Sequence, residues 1–224
     1  LALTGRGHLT DEAVQRGLLP IPCDIEWHAE ALPFHPNGMT FEALREGAVV
    51  DTWTVYSVGG GELREPSGGA SETPDCYPQA TMASILDWTA ATGKPVWMLA
   101  SEYEDADFSG FLADIWRHMG QSIDSGLVAE GCLPGGLHLQ RKARMVRERA
   151  LRLRSSDQRT GLLSAYALAV AEENAAGGHV VTAPTCGSAG VVPAVLTYLA
   201  RDMGVSEQAI LCGLSTAGIV GNVV

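Results

Sequence analysis

Lysine is nearly missing from this chain. Of its 224 residues only Lys94 and Lys142 are lysines. Lys94 lies between Gly93 and Pro95, and Lys142 lies in a basic run. Neither reads as the desolvated lysine of a pyridoxal phosphate Schiff base, so that cofactor is not expected. Positive charge is scarce in general: 15 Lys plus Arg face 26 Asp plus Glu, a net charge of −11. An acidic balance argues against nucleic acid as a partner, because phosphate binding needs a basic face. Cysteines stand apart, at Cys23, Cys76, Cys132, Cys186 and Cys212, with no Cys-x-x-Cys and no Cys/His cluster. That excludes a zinc ribbon or an iron–sulfur site built from local ligands, and an odd, scattered set suits the cytoplasm. Residues 1–7 lack the apolar stretch of a signal peptide. The longest apolar run, 209–224, is broken by Gly213, Ser215, Gly218 and Asn222. It is shorter than the roughly 20 residues of a membrane span and is expected to be a buried helix. Walker A, G-x-S-x-G and H-E-x-x-H patterns are absent.

What is present is globular: 46% apolar and 18% charged residues. The first residue is Leu and the last ten are mostly apolar. We therefore expect a fragment of a longer protein, lacking both ends, with an uncovered apolar face near 210–224. The predicted class is α+β, a small α/β N-terminal domain followed by a truncated all-α domain. A helix is expected over 11–19, with Thr10 as its cap and Pro20 as its stop. Strands are expected over 39–44 and 49–58, joined at Arg45-Glu46-Gly47. A Pro/Gly-rich linker follows. Helices are then expected over 80–92, 108–120, 139–154, 162–174, 192–203 and 207–220. The domain bounds read 1–64, 65–78 as linker, and 79–224.

Three stretches could carry chemistry. In 180–193, VVTAPTCGSAGVVP, small residues open a helix, where free backbone amides can face an anion such as a carboxylate. Equally, they can serve only to let two helices pack closely. Upstream, Glu172-Glu173-Asn174 closes a helix before Gly177-Gly178. Glu172 and Glu173 are adjacent and are not expected to form a paired-carboxylate site, while Asn174 is either a helix end or a substrate contact. In 35–40, HPNGMT, Pro36 extends His35, and Asn37-Gly38 favours a turn, so the imidazole sits on a stiff loop where it can act as acid, base or ligand. A second histidine, His8, lies in a glycine loop. From 141 to 154 there are seven cations. They read best as a solvated face paired with Glu102, Glu104, Asp105 and Asp107.

The segments ALTGRGHLTDEA, LPFHPNGMTFEA, LPGGLHLQRKA and ALAVAEENAAGGHVVTAPTCGSAGVVPAVL resemble, in order along the chain, the bacterial iron–sulfur-dependent L-serine dehydratases. The resemblance implies a lyase that converts L-serine to pyruvate and ammonia in the cytoplasm. It also implies a [4Fe-4S] Lewis acid in place of pyridoxal phosphate. A small domain would contribute His35, Asn37, Gly38 and Met39, and a helical domain Asn174, Thr182, Pro184, Thr185 and Gly187. The roles expected from it are His35 as the catalytic group closing over the site, Asn37 and Asn174 as substrate contacts, and Thr185, Gly187 and Ser188 as the cradle of the substrate carboxylate. The cluster cysteines are implied to lie beyond Val224, Cys186 is not counted among them, and the chain itself is expected to hold no cluster and form no pyruvate. L-serine is the implied partner, with neither nucleic acid nor membrane, and a homodimer is implied by relatives. The alternative is a non-catalytic relative acting as a small-molecule-binding or regulatory module.

Overall fold

A computed structural model of the chain describes residues 9–59, 62–66, 76–182 and 189–223. Helix α1 (Thr10–Gly17) comes first. A three-stranded antiparallel sheet follows, β1 (Gly38–Arg45), β2 (Ala48–Gly59) and β3 (Glu62–Arg64), in the order β1-β2-β3. The rest is helical: α2 (Met82–Thr92), α3 (Trp97–Tyr103), α4 (Phe108–Val128), α5 (Ala143–Ala150), α6 (Ser155–Ala175), α7 (Val191–Thr197), a π-helical turn (Tyr198–Asp202) and α8 (Glu207–Gly221).

The sheet follows from its turn. Glu46 and Gly47 both have positive φ, 53° and 81°, the conformation of a two-residue turn whose twist matches that of paired strands. Arg45 then faces Ala48, and Phe41 faces Trp53 and stacks on it at 5.3 Å. Further along β2 the adjacent residues Val55 and Tyr56, one on each face, are both buried.

The helical part packs around α6. Ile123 of α4, Ala150 of α5, Leu162, Tyr166 and Val170 of α6, and Ala194 of α7 form one cluster. Met119, Leu196, Ile210 and Leu214 form a second, and Ile85, Leu99, Ala100 and Ile219 a third. Helix α8 thus buries Ile210, Leu214 and Ile219, contrary to the uncovered face expected from the sequence. Ser215 Oγ also donates to the Trp97 carbonyl at 3.0 Å.

Several element boundaries differ from expectation. Thr10 lies inside α1, whose cap is Leu9 with φ 55° and no side-chain bond. Helix α4 runs through Gly120, because burial of Met119 and Ile123 outweighs one glycine's propensity. Residues 139–142 are not helical. The π-helical turn interrupts the expected 192–203 helix. It lets Arg201 reach Asp124 with two bonds, 2.6 and 3.0 Å, while Asp202 accepts from the Tyr166 hydroxyl at 2.9 Å.

Before α2, the Tyr77 hydroxyl donates to Glu104 at 2.5 Å. Burial, and then this bond, push the phenol well above its ordinary range. A tyrosine held neutral stabilises the fold fully below its unfolded pKa, near 10. That contribution is lost as pH rises, because the unfolded chain ionises first. We expect stability to fall above about pH 10, and Tyr77→Phe to flatten that limb in urea titrations at pH 9 and 11.

Candidate functional site

The loop before β1 is built around one aromatic ring. Phe34 packs on Tyr56 with centroids 5.1 Å apart. A Cβ on Gly38 would fall 2.9 Å from Tyr56 Cε1 and 2.6 Å from Leu32 Cδ1, so only glycine fits there. The Asn37 carbonyl accepts from Ser57 N–H at 3.0 Å. Within this frame the Asn37 N–H donates to His35 Nδ1 at 3.2 Å. With Nδ1 accepting, the neutral ring carries its proton on Nε2, and His35 offers a donor outward. His35 and Asn37 are half-buried.

A second centre lies at the end of α6. Residues 131–141 form a narrow hairpin rather than the first turn of the expected basic helix. Cys132 bridges Gln140, Leu133 N–H meets the Leu139 carbonyl at 2.7 Å, and Arg141 N–H meets that of Gly131 at 2.9 Å. The foot of the hairpin is gripped by two adjacent carboxylates of α6. Glu172, only 5% exposed, accepts at Oε1 from the backbone N–H groups of Lys142 and Ala143, at 2.6 and 3.2 Å. These are free donors at the start of α5, where negative charge is favoured. Its Oε2 is buried without a partner. Glu173 pairs with Arg141 at 2.8 Å, with both side chains largely buried. Adjacent residues do not share a helix face, but both reach the one segment that crosses the end of the helix.

The basic run therefore pairs differently from expectation. Arg144 meets Glu130 and Glu148, while Glu102 pairs with Lys94. Because the Arg141–Glu173 pair is shielded, removing one partner strands a buried charge. We expect Arg141→Met to cost about 2 kcal/mol in urea unfolding, and adding Glu173→Gln to recover part of that.

Gly177, φ 75°, follows the last turn of α6, and Leu9 and Arg16 of the α1 segment lie against it. A Cβ on Gly177 would lie 2.8 Å from Leu9 Cδ1 and 3.5 Å from Arg16 Nη2. The described parts of three stretches quoted above on sequence grounds, which begin at Leu9, Leu133 and Ala167, thus meet at the end of α6. Asn174 is half-buried beside them, and its side chain makes no hydrogen bond among the described residues. The described hydrogen bonds of His35 and Asn37 stay within the sheet unit and its loop. His8, Pro184, Thr185, Cys186, Gly187 and Ser188 lie outside the described residues. Just after them, a Cβ on Gly190 would sit 2.7 Å from the Ala167 carbonyl, so this glycine permits close packing of α7 on α6. Sequence reasoning missed the grip of Glu172 and Glu173 on the hairpin, and the strained His138, φ 48°, near the hairpin's tip. The only hint was LPGGLHLQRKA, a turn leading into a helix without a cap.

Among the described residues no three His, Cys, Asp or Glu side chains gather as metal ligands, and Cys23, Cys76, Cys132 and Cys212 form no disulfide there. No helix there is long and apolar enough to cross a membrane.

Comparison with known proteins gives a consistent answer. Residues 57–224 match the family described as "Serine dehydratase alpha chain", and residues 20–67 match "Serine dehydratase beta chain". The L-serine dehydratase of Streptomyces coelicolor is 42% identical over 207 residues, which cover 86% of this chain and 45% of that protein. L-serine dehydratase 1 of Escherichia coli is 34% identical, covering 88% and 54%. L-serine dehydratase TdcG of the same species is 33% identical, covering 99% and 60%. The chain spans about half the length of the curated relatives it matches.

Proposed function

Because this chain belongs to the serine dehydratase family, we propose that it is part of an enzyme that converts L-serine to pyruvate and ammonia. The carrying observation is the match to both family descriptions in chain order, with relatives of that name up to 42% identical. Loss of the serine α-proton and hydroxyl gives aminoacrylate, which tautomerises and hydrolyses to pyruvate and ammonia. In this reading 1–64 is the small domain, 65–78 a linker and 79–224 the start of the helical domain. Action in the cytoplasm and assembly as a homodimer are part of the same proposal.

The described residues of this chain do not fit a [4Fe-4S] cluster, because no three candidate ligands come together. The cluster implied by the family resemblance would draw its cysteines from outside the described residues. What the chain contributes is orientation. His35, fixed by the Asn37 N–H, donates from Nε2 to the substrate hydroxyl. Asn37 and Asn174 contact the substrate, while Thr185, Gly187 and Ser188 receive its carboxylate. The test is pyruvate release from L-serine by the full-length protein, purified anaerobically and coupled to lactate dehydrogenase. Pyruvate formation is expected, and its absence from folded, iron-loaded protein overturns the assignment.

A further inference from the structure

We propose that the hairpin 131–141 is an arm of the substrate site, and that His138 at its tip holds the carboxylate of the amino-acid substrate. The inference rests on the serine dehydratase reading above.

The arm is expensive at its foot and idle at its tip. At the foot, the fold buries a carboxylate with one unpartnered oxygen, Glu172, and an ion pair, Arg141–Glu173. Burying such groups costs free energy that apolar residues would not. The result is a fixed orientation of a short hairpin already closed by its own backbone bonds. At the tip, by contrast, Leu137 is 82% exposed and His138 is exposed. His138 also sits at φ 48°, a left-handed conformation that costs a non-glycine residue about 1–2 kcal/mol. Glycine or asparagine would relieve that strain, and the exposed imidazole is not held in place by burial. Strain retained at an exposed side chain on a rigid stem points to a ligand.

The position selects the ligand. The foot of the arm is held by Glu172 and Glu173, the residues immediately before Asn174. The tip is therefore fixed relative to a proposed substrate contact. An imidazole presents an N–H donor, and the charged acceptor of an amino acid is its carboxylate, which has room for several donors. Lys142, exposed at the foot, adds positive field.

The test uses the full-length enzyme. His138→Asn keeps a residue tolerant of the left-handed backbone and removes the ring. We expect its KM for L-serine to rise about tenfold with kcat within about twofold, a loss of binding rather than of chemistry. Inhibition by 3-hydroxypropanoate, which keeps the carboxylate and lacks the amine, should weaken by the same factor. Inhibition by ethanolamine, which lacks the carboxylate, should not change. His138→Lys, which can only donate, should restore most of the affinity. If His138→Asn fails to fold, His138→Gly, free of strain, carries the same comparison. Unchanged KM, equal loss toward both inhibitors, or no recovery with lysine overturns the proposal. If the wild-type enzyme releases no pyruvate from L-serine, the functional reading fails separately. Calorimetric binding of 3-hydroxypropanoate to wild type and His138→Asn then decides the arm, with equal affinities overturning it.

Discussion

Gly126→Ala should lower the stability of the chain by about 3 kcal/mol or more, at the upper end of overpacking costs. Gly126 lies inside α4, where propensity alone favours alanine over glycine by about 1 kcal/mol. The neighbour reverses that sign. A Cβ there would fall 2.2 Å from the Ala169 carbonyl oxygen, 2.6 Å from its carbon and 2.7 Å from its Cα. All three are backbone atoms of α6, so relief requires the two helices to part. Ile123 on α4 and Val170 on α6, within one core cluster, lose contact when they do. Gly120→Ala on the same helix is the control. The nearest atom to its added Cβ is Arg201 Nη2 at 3.9 Å, so it should gain about 0.5–1 kcal/mol. Urea midpoints of the two variants should move in opposite directions with unchanged slopes. A Gly126→Ala protein as stable as wild type would mean that α4 and α6 do not cross where the structure places them.

The same pair of glycines shows what sequence can and cannot tell. Gly120 reads as a helix end and is not one, while Gly126 gives no signal and sets a helix crossing. Periodicity located most of the helices and both long strands, since each buries one face and repeats accordingly. It failed where a contact distant in sequence decides local structure. Residues 139–142 carry helix-forming side chains, yet Glu172 and Glu173, some thirty residues later, hold them as the foot of a hairpin. The π-helical turn is likewise set by Asp124 and Tyr166, which receive Arg201 and Asp202. For the site, residue types were legible and partners were not. His35 was marked by its stiff loop, but that Nδ1 is the occupied nitrogen depends on Tyr56 packing under Gly38 and Phe34.

That nitrogen makes the second large effect specific. His35→Ala in the full-length enzyme should lower kcat/KM for L-serine by at least about a hundredfold, roughly 3 kcal/mol of transition-state stabilisation. A histidine acting as base needs a free lone pair on the nitrogen that faces substrate. Here the neutral ring places a proton on that nitrogen, because Nδ1 already accepts from Asn37 N–H. In the proposed reading the ring donates to the substrate hydroxyl, whose oxygen gains negative charge as its bond to carbon breaks. A donor can be replaced by another donor of similar reach, and a base cannot. His35→Gln places an amide N–H near the original Nε2 and should keep about a tenth of wild-type kcat/KM, well above the alanine variant. Equal loss in both variants would assign His35 to proton removal, and would require the Asn37 N–H bond to open during turnover. Unchanged kcat/KM in His35→Ala would remove His35 from the reaction and leave the end of α6 as the place to look for its chemistry.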